Sequence, residues 1–249
     1  MLAQLTDFHI GSGPEAEVDA AAAIAAVVAL DPAPDAVVVT GDLTEHGTAE
    51  EYAIVRELLG VLATPVHVIG GNHDDPGALR AAFPVAGESS YHWAADAGAL
   101  RIIGLDSTIP GRDDGTIAPE LEWLGARLEE APERPTIVAL HHSPLPTGIP
   151  VLDRLGLAGG EPEALGELLG RHPQVLRVVC GHVHLASSGV VGACPVATCP
   201  SATRIRQPLD LRAETFAVRG EPTGFALHLL IDGRLVSHVQ PVRSRHFTW

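Results

Sequence analysis

Val66-His67-Val68-Ile69-Gly70-Gly71-Asn72-His73-Asp74 decides how the chain is read. Four residues rich in β-branched side chains form a short buried strand. Two glycines then allow a sharp bend, and three polar side chains that can bind metal or move protons follow at once. The same arrangement recurs at other strand ends. Leu2–Leu5 leads into Asp7-Phe8-His9, and Ala36–Val39 into Gly41-Asp42. Thr136–Leu140 leads into His141-His142, and Val175–Cys180 into Gly181-His182-Val183-His184. In an open α/β sheet the carboxyl ends of the strands form the ligand crevice, so five such ends predict one polar site.

Between these strands, Val18–Leu30, Ala49–Leu62, Pro119–Glu130 and Glu163–Leu169 carry helical periodicity. Leu100–Leu105 reads as a further strand. Strands alternating with helices predict βαβ crossovers and a largely parallel sheet. After Cys180 the pattern becomes Val190–Val191, Val196–Thr198, Glu214–Val218, Phe225–Leu230 and Leu235–Val239, with a hairpin signal at Asp232-Gly233. The expectation is one α/β domain over residues 1–249, with β-hairpins from about residue 187 onward completing a second sheet.

Composition narrows the chemistry. The formal net charge is -15, which disfavours a nucleic-acid partner, because phosphates are gripped by clustered cations. All 16 basic residues are arginine, so Schiff-base chemistry, a phosphate-loop lysine and a Ser-Lys dyad are excluded. The three cysteines, Cys180, Cys194 and Cys199, form no C-x-x-C pair and read as packed thiols in a reducing compartment. No signal-peptide pattern opens the chain and no apolar run is long enough to span a bilayer, so the expected location is the cytoplasm, away from membranes.

The strand-end residues Asp7, His9, Asp42, Asn72, His141 or His142, His182 and His184 offer two carboxylates, one amide and four imidazoles, with no thiolate. Such O/N donors suit Mn, Fe, Co or Zn. Seven donors exceed one tetrahedral ion and suit two divalent cations sharing a carboxylate. If the chain is extended at Asp7-x-His9 and His182-x-His184, residues i and i+2 aim at one point. Neighbours on an extended chain point apart, so this reasoning does not choose between His141 and His142. The loops Thr44–Gly47, Ser143–Gly160 and Pro200–Arg206, with Asp75, are the candidate determinants of substrate choice.

Taken together, Asp7-x-His9, Gly41-Asp42, Gly71-Asn72-His73-Asp74, His141-His142 and Gly181-His182-x-His184 resemble the calcineurin-like metallophosphoesterase superfamily. The His-His-x-Pro turn at His141–Pro144, Leu152-Asp153 and Leu105-Asp106-Ser107 resemble its class III cyclic-nucleotide phosphodiesterase branch. The resemblance implies a four-layer αββα sandwich of two mixed sheets flanked by helices. It implies that Asp7, His9 and His184 hold one metal, that Asn72, His141 and His182 hold a second, and that Asp42 bridges them. The metals would be Mn, Fe or Zn, or a mixed Fe/Mn pair, activating a shared water. His73, Asp42 and Asp74 are the catalytic candidates; Asn72, His73, His142 and Arg204 are the candidate substrate contacts. The expected partner is a small-molecule phosphodiester such as a 3′,5′-cyclic nucleotide, with a homodimer compatible. Alternatives are a glycerophosphodiesterase, a phosphomonoesterase, or a scaffold that keeps the fold without the chemistry.

Overall fold

The computed structural model describes residues 1–86, 90–205, 208–215 and 222–242. Its elements run β1 (Leu2–Leu5), α1 (Pro14–Val28), β2 (Ala36–Thr40), α2 (Ala49–Leu59), β3 (Val66–Ile69), α3 (Pro76–Ala82), β4 (Trp93–Ala97), β5 (Leu100–Gly104), α4 (Leu121–Glu129), β6 (Thr136–Leu140), α5 (Pro150–Asp153), α6 (Glu161–Leu169), β7 (Val175–Cys180), β8 (Ser187–Val191), β9 (Cys194–Thr198), β10 (Gly224–Ile231) and β11 (Arg234–Pro241). Among the described residues they build a five-stranded sheet, β11-β10-β1-β2-β3, and a six-stranded sheet, β4-β5-β6-β7-β9-β8. Pairings β1–β2, β2–β3, β5–β6, β6–β7 and β7–β9 are parallel; the hairpins are antiparallel. Both sheets are therefore mixed, as the resemblance implied.

Alternation along each strand explains the layering. Ala3, Leu5, Val37 and Val39 face α1 and α2, packing with Ile24, Tyr52 and Val55. Leu2, Ala36 and Val38 point the opposite way and meet Ile102, Ile137, Ala139 and Val179 of the other sheet. Val138, Leu140 and Val178 complete the stack against Leu124, Leu128 and Leu165 of α4 and α6. Strands buried on both faces read as unbroken apolar runs, which is why these four were legible.

Some expectations shift. The C-terminal hairpins do not all complete the second sheet. β8–β9 extends the six-stranded sheet beside β7, whereas β10 pairs with β1 in the five-stranded one. Each sheet had an edge to cover, and a hairpin pairs with whichever edge it reaches. The strand expected over Glu214–Val218 lies largely outside the described residues, and 214–215 are not strand. Helix α3 was unforeseen because Asp75-Pro76-Gly77 reads as a turn; Asp75 instead caps the helix, accepting from Ala78 N at 2.8 Å. Strand β4, Trp93-Ala-Ala-Asp-Ala97, carries poor strand formers and is held at a sheet edge by β5.

Ile137 is fully buried between the sheets. Ile137→Ala should lower unfolding free energy by about 2–5 kcal/mol in urea titrations, the range for a large-to-small change in a core that cannot collapse.

Candidate metal centre

The strand ends converge on a cleft of about 580 Å³ lined by His9, Asp42, Asn72, His73, His182 and His184. Extended chain does not achieve this. Asp7, His9, Asp42, His182 and His184 all have positive φ, between 46° and 68°. These five sit in left-handed kinks just past their strands, whereas Asn72 and His141 do not, so the i, i+2 argument gave the right convergence for the wrong backbone. Hydrogen bonds hold the kinks: Asp7 N donates to Gly41 O and His9 N to Asp42 O, both at 3.0 Å.

Three imidazoles are anchored through Nδ1. His9 meets Glu45 Oε2 at 2.8 Å, and His141 donates to Thr40 O at 2.8 Å. His184 donates to Ile205 O at 2.6 Å. Their Nε2 atoms turn inward. Those of His9 and His184 lie 3.1 Å apart. That spacing suits two imidazoles holding one cation at about 2.1 Å each. Asp7 Oδ2 and His182 Nε2 are buried without any hydrogen-bond partner. Orphaned buried polar atoms are costly, and a bound cation would satisfy both. Asp7, His9, Asp42 and His184 form one group that could hold a metal, and His141 and His182 belong to another. Asp42 Oδ2 is 3.5 Å from His9 Nε2 and 3.4 Å from His141 Nε2, so it touches both groups. Asn72 Oδ1 approaches His141 Nε2 at 3.2 Å. The donor set therefore fits divalent metal.

Burial and charge set the protonation states. Burial opposes protonation of His141, but the Asp42 carboxylate outweighs it and raises the imidazole to about 9. Asp42 is correspondingly held well below the usual carboxylate range, His141 overcoming the cost of burial. Burial pushes His184 down to about 4 and His142 down to about 3, the latter helped by neighbouring His141.

His142, expected to touch substrate, does not reach the cleft. It is fully buried, with Nδ1 bonded to Ser107 Oγ at 2.9 Å and Nε2 facing Asp113 O at 3.3 Å. Both ring nitrogens are bonded away from the cleft, whereas His141 turns Nε2 toward Asp42 and Asn72; that orientation favours His141, which extended-chain reasoning left open. Arg204 is also diverted: its guanidinium pairs with buried Asp19 of α1 at 2.9 Å. Asp74 faces away from the cleft. Its carboxylate accepts from Leu43 N, Thr44 N, Thr44 Oγ1, Tyr52 OH and Gly71 N at 2.8–3.2 Å, tying the Asp42 loop to the Asn72 loop. It positions rather than reacts. His73 does line the cleft; its N donates to Asp42 Oδ1 at 3.0 Å and its Nδ1 to Glu45 O at 3.1 Å.

Glu45 was not singled out from the sequence, although its loop was. It anchors His9 by side chain and His73 by backbone. No local pattern marks it; its role follows from the loop that Asp74 clamps against His9. Leu152, Leu155 and Ile205 supply apolar wall from the other two loops named as substrate determinants. His46 pairs with Glu51 rather than with its neighbour Glu45.

A two-sheet sandwich whose strand ends gather carboxylates and imidazoles defines a metallophosphoesterase. The family profile described as calcineurin-like phosphoesterase matches residues 1–186, and the chain belongs to that family. It is 37% identical over 210 residues to a probable glycerophosphodiester phosphodiesterase GpdQ of Arcobacter nitrofigilis, covering 80% of this chain and 74% of that one. It is 34% identical over 233 residues to a probable cyclic nucleotide phosphodiesterase of Synechococcus sp., covering 90% and 88%. To the 3′,5′-cyclic adenosine monophosphate phosphodiesterase CpdA of Pseudomonas aeruginosa it is 32% identical over 192 residues, covering 74% and 69%. The fold matches yellow lupin purple acid phosphatase PPD1 with a TM-score of 0.73 at 15% identity, over 97% of this chain and 51% of that one.

Tyr52 donates to Asp74 from α2, outside the cleft. Tyr52→Phe should cost about 1–3 kcal/mol of stability in chemical denaturation, because a buried carboxylate loses a donor.

Proposed function

We propose that the protein is a dinuclear metal-dependent phosphodiesterase acting on a small phosphodiester, a 3′,5′-cyclic nucleotide first among them. The observation that carries this reading is the position of Asp42 Oδ2 between His9 Nε2 and His141 Nε2, one carboxylate oxygen addressed by both groups. In this reading Asp7, His9, Asp42 and His184 would hold one cation, and Asp42, Asn72, His141 and His182 would hold the other. Divalent cations there supply Lewis-acid activation of water and of the phosphoryl oxygens.

The chain's own residues do the rest. No arginine lines the cleft among the described residues, so the phosphate charge is met by the cations and by His73. With Nδ1 held by the Glu45 carbonyl, His73 presents Nε2 to the cleft. As imidazolium it donates to the phosphoryl group and hands its proton to the departing alkoxide. No side chain needs to attack phosphorus, so no phospho-enzyme is formed. Leu152, Leu155 and Ile205 exclude water on the leaving-group side and offer an apolar face to an organic ester. The likeness to GpdQ supports a second substrate class, the glycerophosphodiesters. No helix among the described residues is long and apolar enough to cross a membrane.

His73→Ala should leave metal content intact and lower kcat by about 10²-fold or more, the usual scale for a lost general acid. Unchanged turnover would remove His73 from the reaction. Asp42→Asn should reduce retention of both cations by elemental analysis; two fully occupied sites would refute the bridging role. On a panel offered to the Mn-loaded protein, cyclic nucleotides should be cleaved faster than glycerophosphodiesters, and both faster than monoesters. Monoester preference would overturn the diester reading.

A further inference from the structure

A second groove lies where the outer strands of the two sheets, β3 and β4, come together. Its volume of about 760 Å³ exceeds that of the metal cleft, and the two share no lining residue. The chain has only ten Phe, Tyr and Trp residues. Four of them, Phe83, Tyr91, Trp93 and Trp123, line this groove. Two are already parts of stacks. His92 lies on Trp123 with centroids 3.8 Å apart and planes 15° from parallel; His67 lies on Trp93 at 4.9 Å and 29°. Both tryptophans are only partly buried, so the groove retains planar apolar surface.

Its charge is also unlike the rest of the molecule. Acidic residues outnumber basic ones 31 to 16, yet no Asp or Glu lines the groove among the described residues; Arg127, His67 and His92 do, His92 being paired behind the groove with buried Glu120 at 2.7 Å. Arg127 sits over the Trp123 ring at 5.7 Å. Arg101 and Arg127 share the single carboxylate of Glu130, at 2.8 and 2.7 Å, which leaves one positive charge in excess. Arg127 Nε is buried and has no hydrogen-bond partner. An under-neutralised guanidinium with an unmatched donor favours an anion beside it.

We propose that this groove is a second ligand site, taking a small planar heteroaromatic anion of the nucleoside monophosphate kind. The ring extends one of the His–Trp stacks and the anionic group lies toward Arg127. Aromatic rings stack on indole faces whatever their substituents, and the guanidinium selects for negative charge. Such a ligand rests against β3, whose carboxyl end leads into Asn72 and His73. The assignment is independent of the reaction proposed for the metal centre.

The test uses the metal-loaded whole chain, with the Asp42→Asn variant separating binding in the metal cleft from binding in the groove. Adenosine 5′-monophosphate is titrated while indole fluorescence is followed. A saturable change is expected, with adenosine and ribose 5-phosphate each binding about ten-fold or more weaker, because each lacks one of the two contacts. Arg127→Gln should weaken binding by about ten-fold, and Trp123→Leu should abolish it, while both retain diester hydrolysis. Arg127 is only partly buried and Gln keeps most of its stem, so its replacement reports even if Trp123→Leu fails to fold. No saturable binding, equal affinity for adenosine, or an isotherm unchanged by Arg127→Gln would overturn the proposal. So would loss of the signal in Asp42→Asn, which would place the ligand in the metal cleft.

Discussion

Asp7, His9, Asp42, His182 and His184 reach one point because the backbone at each of them is left-handed. For a residue with a side chain this conformation costs about 1–2 kcal/mol. Five such residues at the ends of three strands make a strained rim that only its surroundings can sustain. The parallel strands do this by continuing to hydrogen-bond past their ends: Asp7 N to Gly41 O, His9 N to Asp42 O, and Gly181 N to His141 O. Asp7 Oδ1 adds a link across the rim by accepting from His182 N at 3.1 Å. Close packing leaves little slack. A Cβ on Gly71 would stand 2.2 Å from Asp42 Oδ1, and one on Gly181 would stand 2.1 Å from Thr6 Oγ1. The strain is local and the restraint is distributed, which is how a site holds its donors in place before a ligand arrives.

Charge is organised around the same rim. The chain is strongly acidic, but its buried carboxylates have different tasks. Asp7 and Asp42 face inward among imidazoles. Asp74 is turned into the loops and carries no cleft surface. Burial, and then the nearby Asp42 charge, raise its carboxyl above the usual range, while its donors from Gly71, Tyr52 and Leu43 work the other way. The imidazoles that line the rim are oriented from outside by carbonyls and by Glu45. Their Nε2 atoms are thereby turned inward, where a divalent cation would displace the proton that Asp42 favours on His141.

Much of this was legible before any fold was known. The buried strands are unbroken apolar runs with β-branched residues, and each ends at a bend followed by donor atoms. That local order is enough for the strand ends, the metal-binding donor set and the family resemblance. Helix α3 and edge strand β4 were not legible, because Asp75-Pro76-Gly77 and Trp93–Ala97 have local preferences that oppose what packing imposes. Glu45 was hidden because nothing marks an acid three residues past Asp42 until His9 is folded against it.

The sequence by itself determined which donors exist and which strand ends carry them, because strand formation and chain reversal depend on neighbouring residues. Tertiary structure alone decided between His141 and His142, withdrew Arg204 into a pair with Asp19, turned Asp74 away, and assigned the two C-terminal hairpins to different sheets. Each of those outcomes depends on a partner at least 18 residues away, the shortest span being Val178 to Val196 between β7 and β9. Local periodicity carries no information about such a partner; only closure of the two sheets on one another brings it within bonding distance.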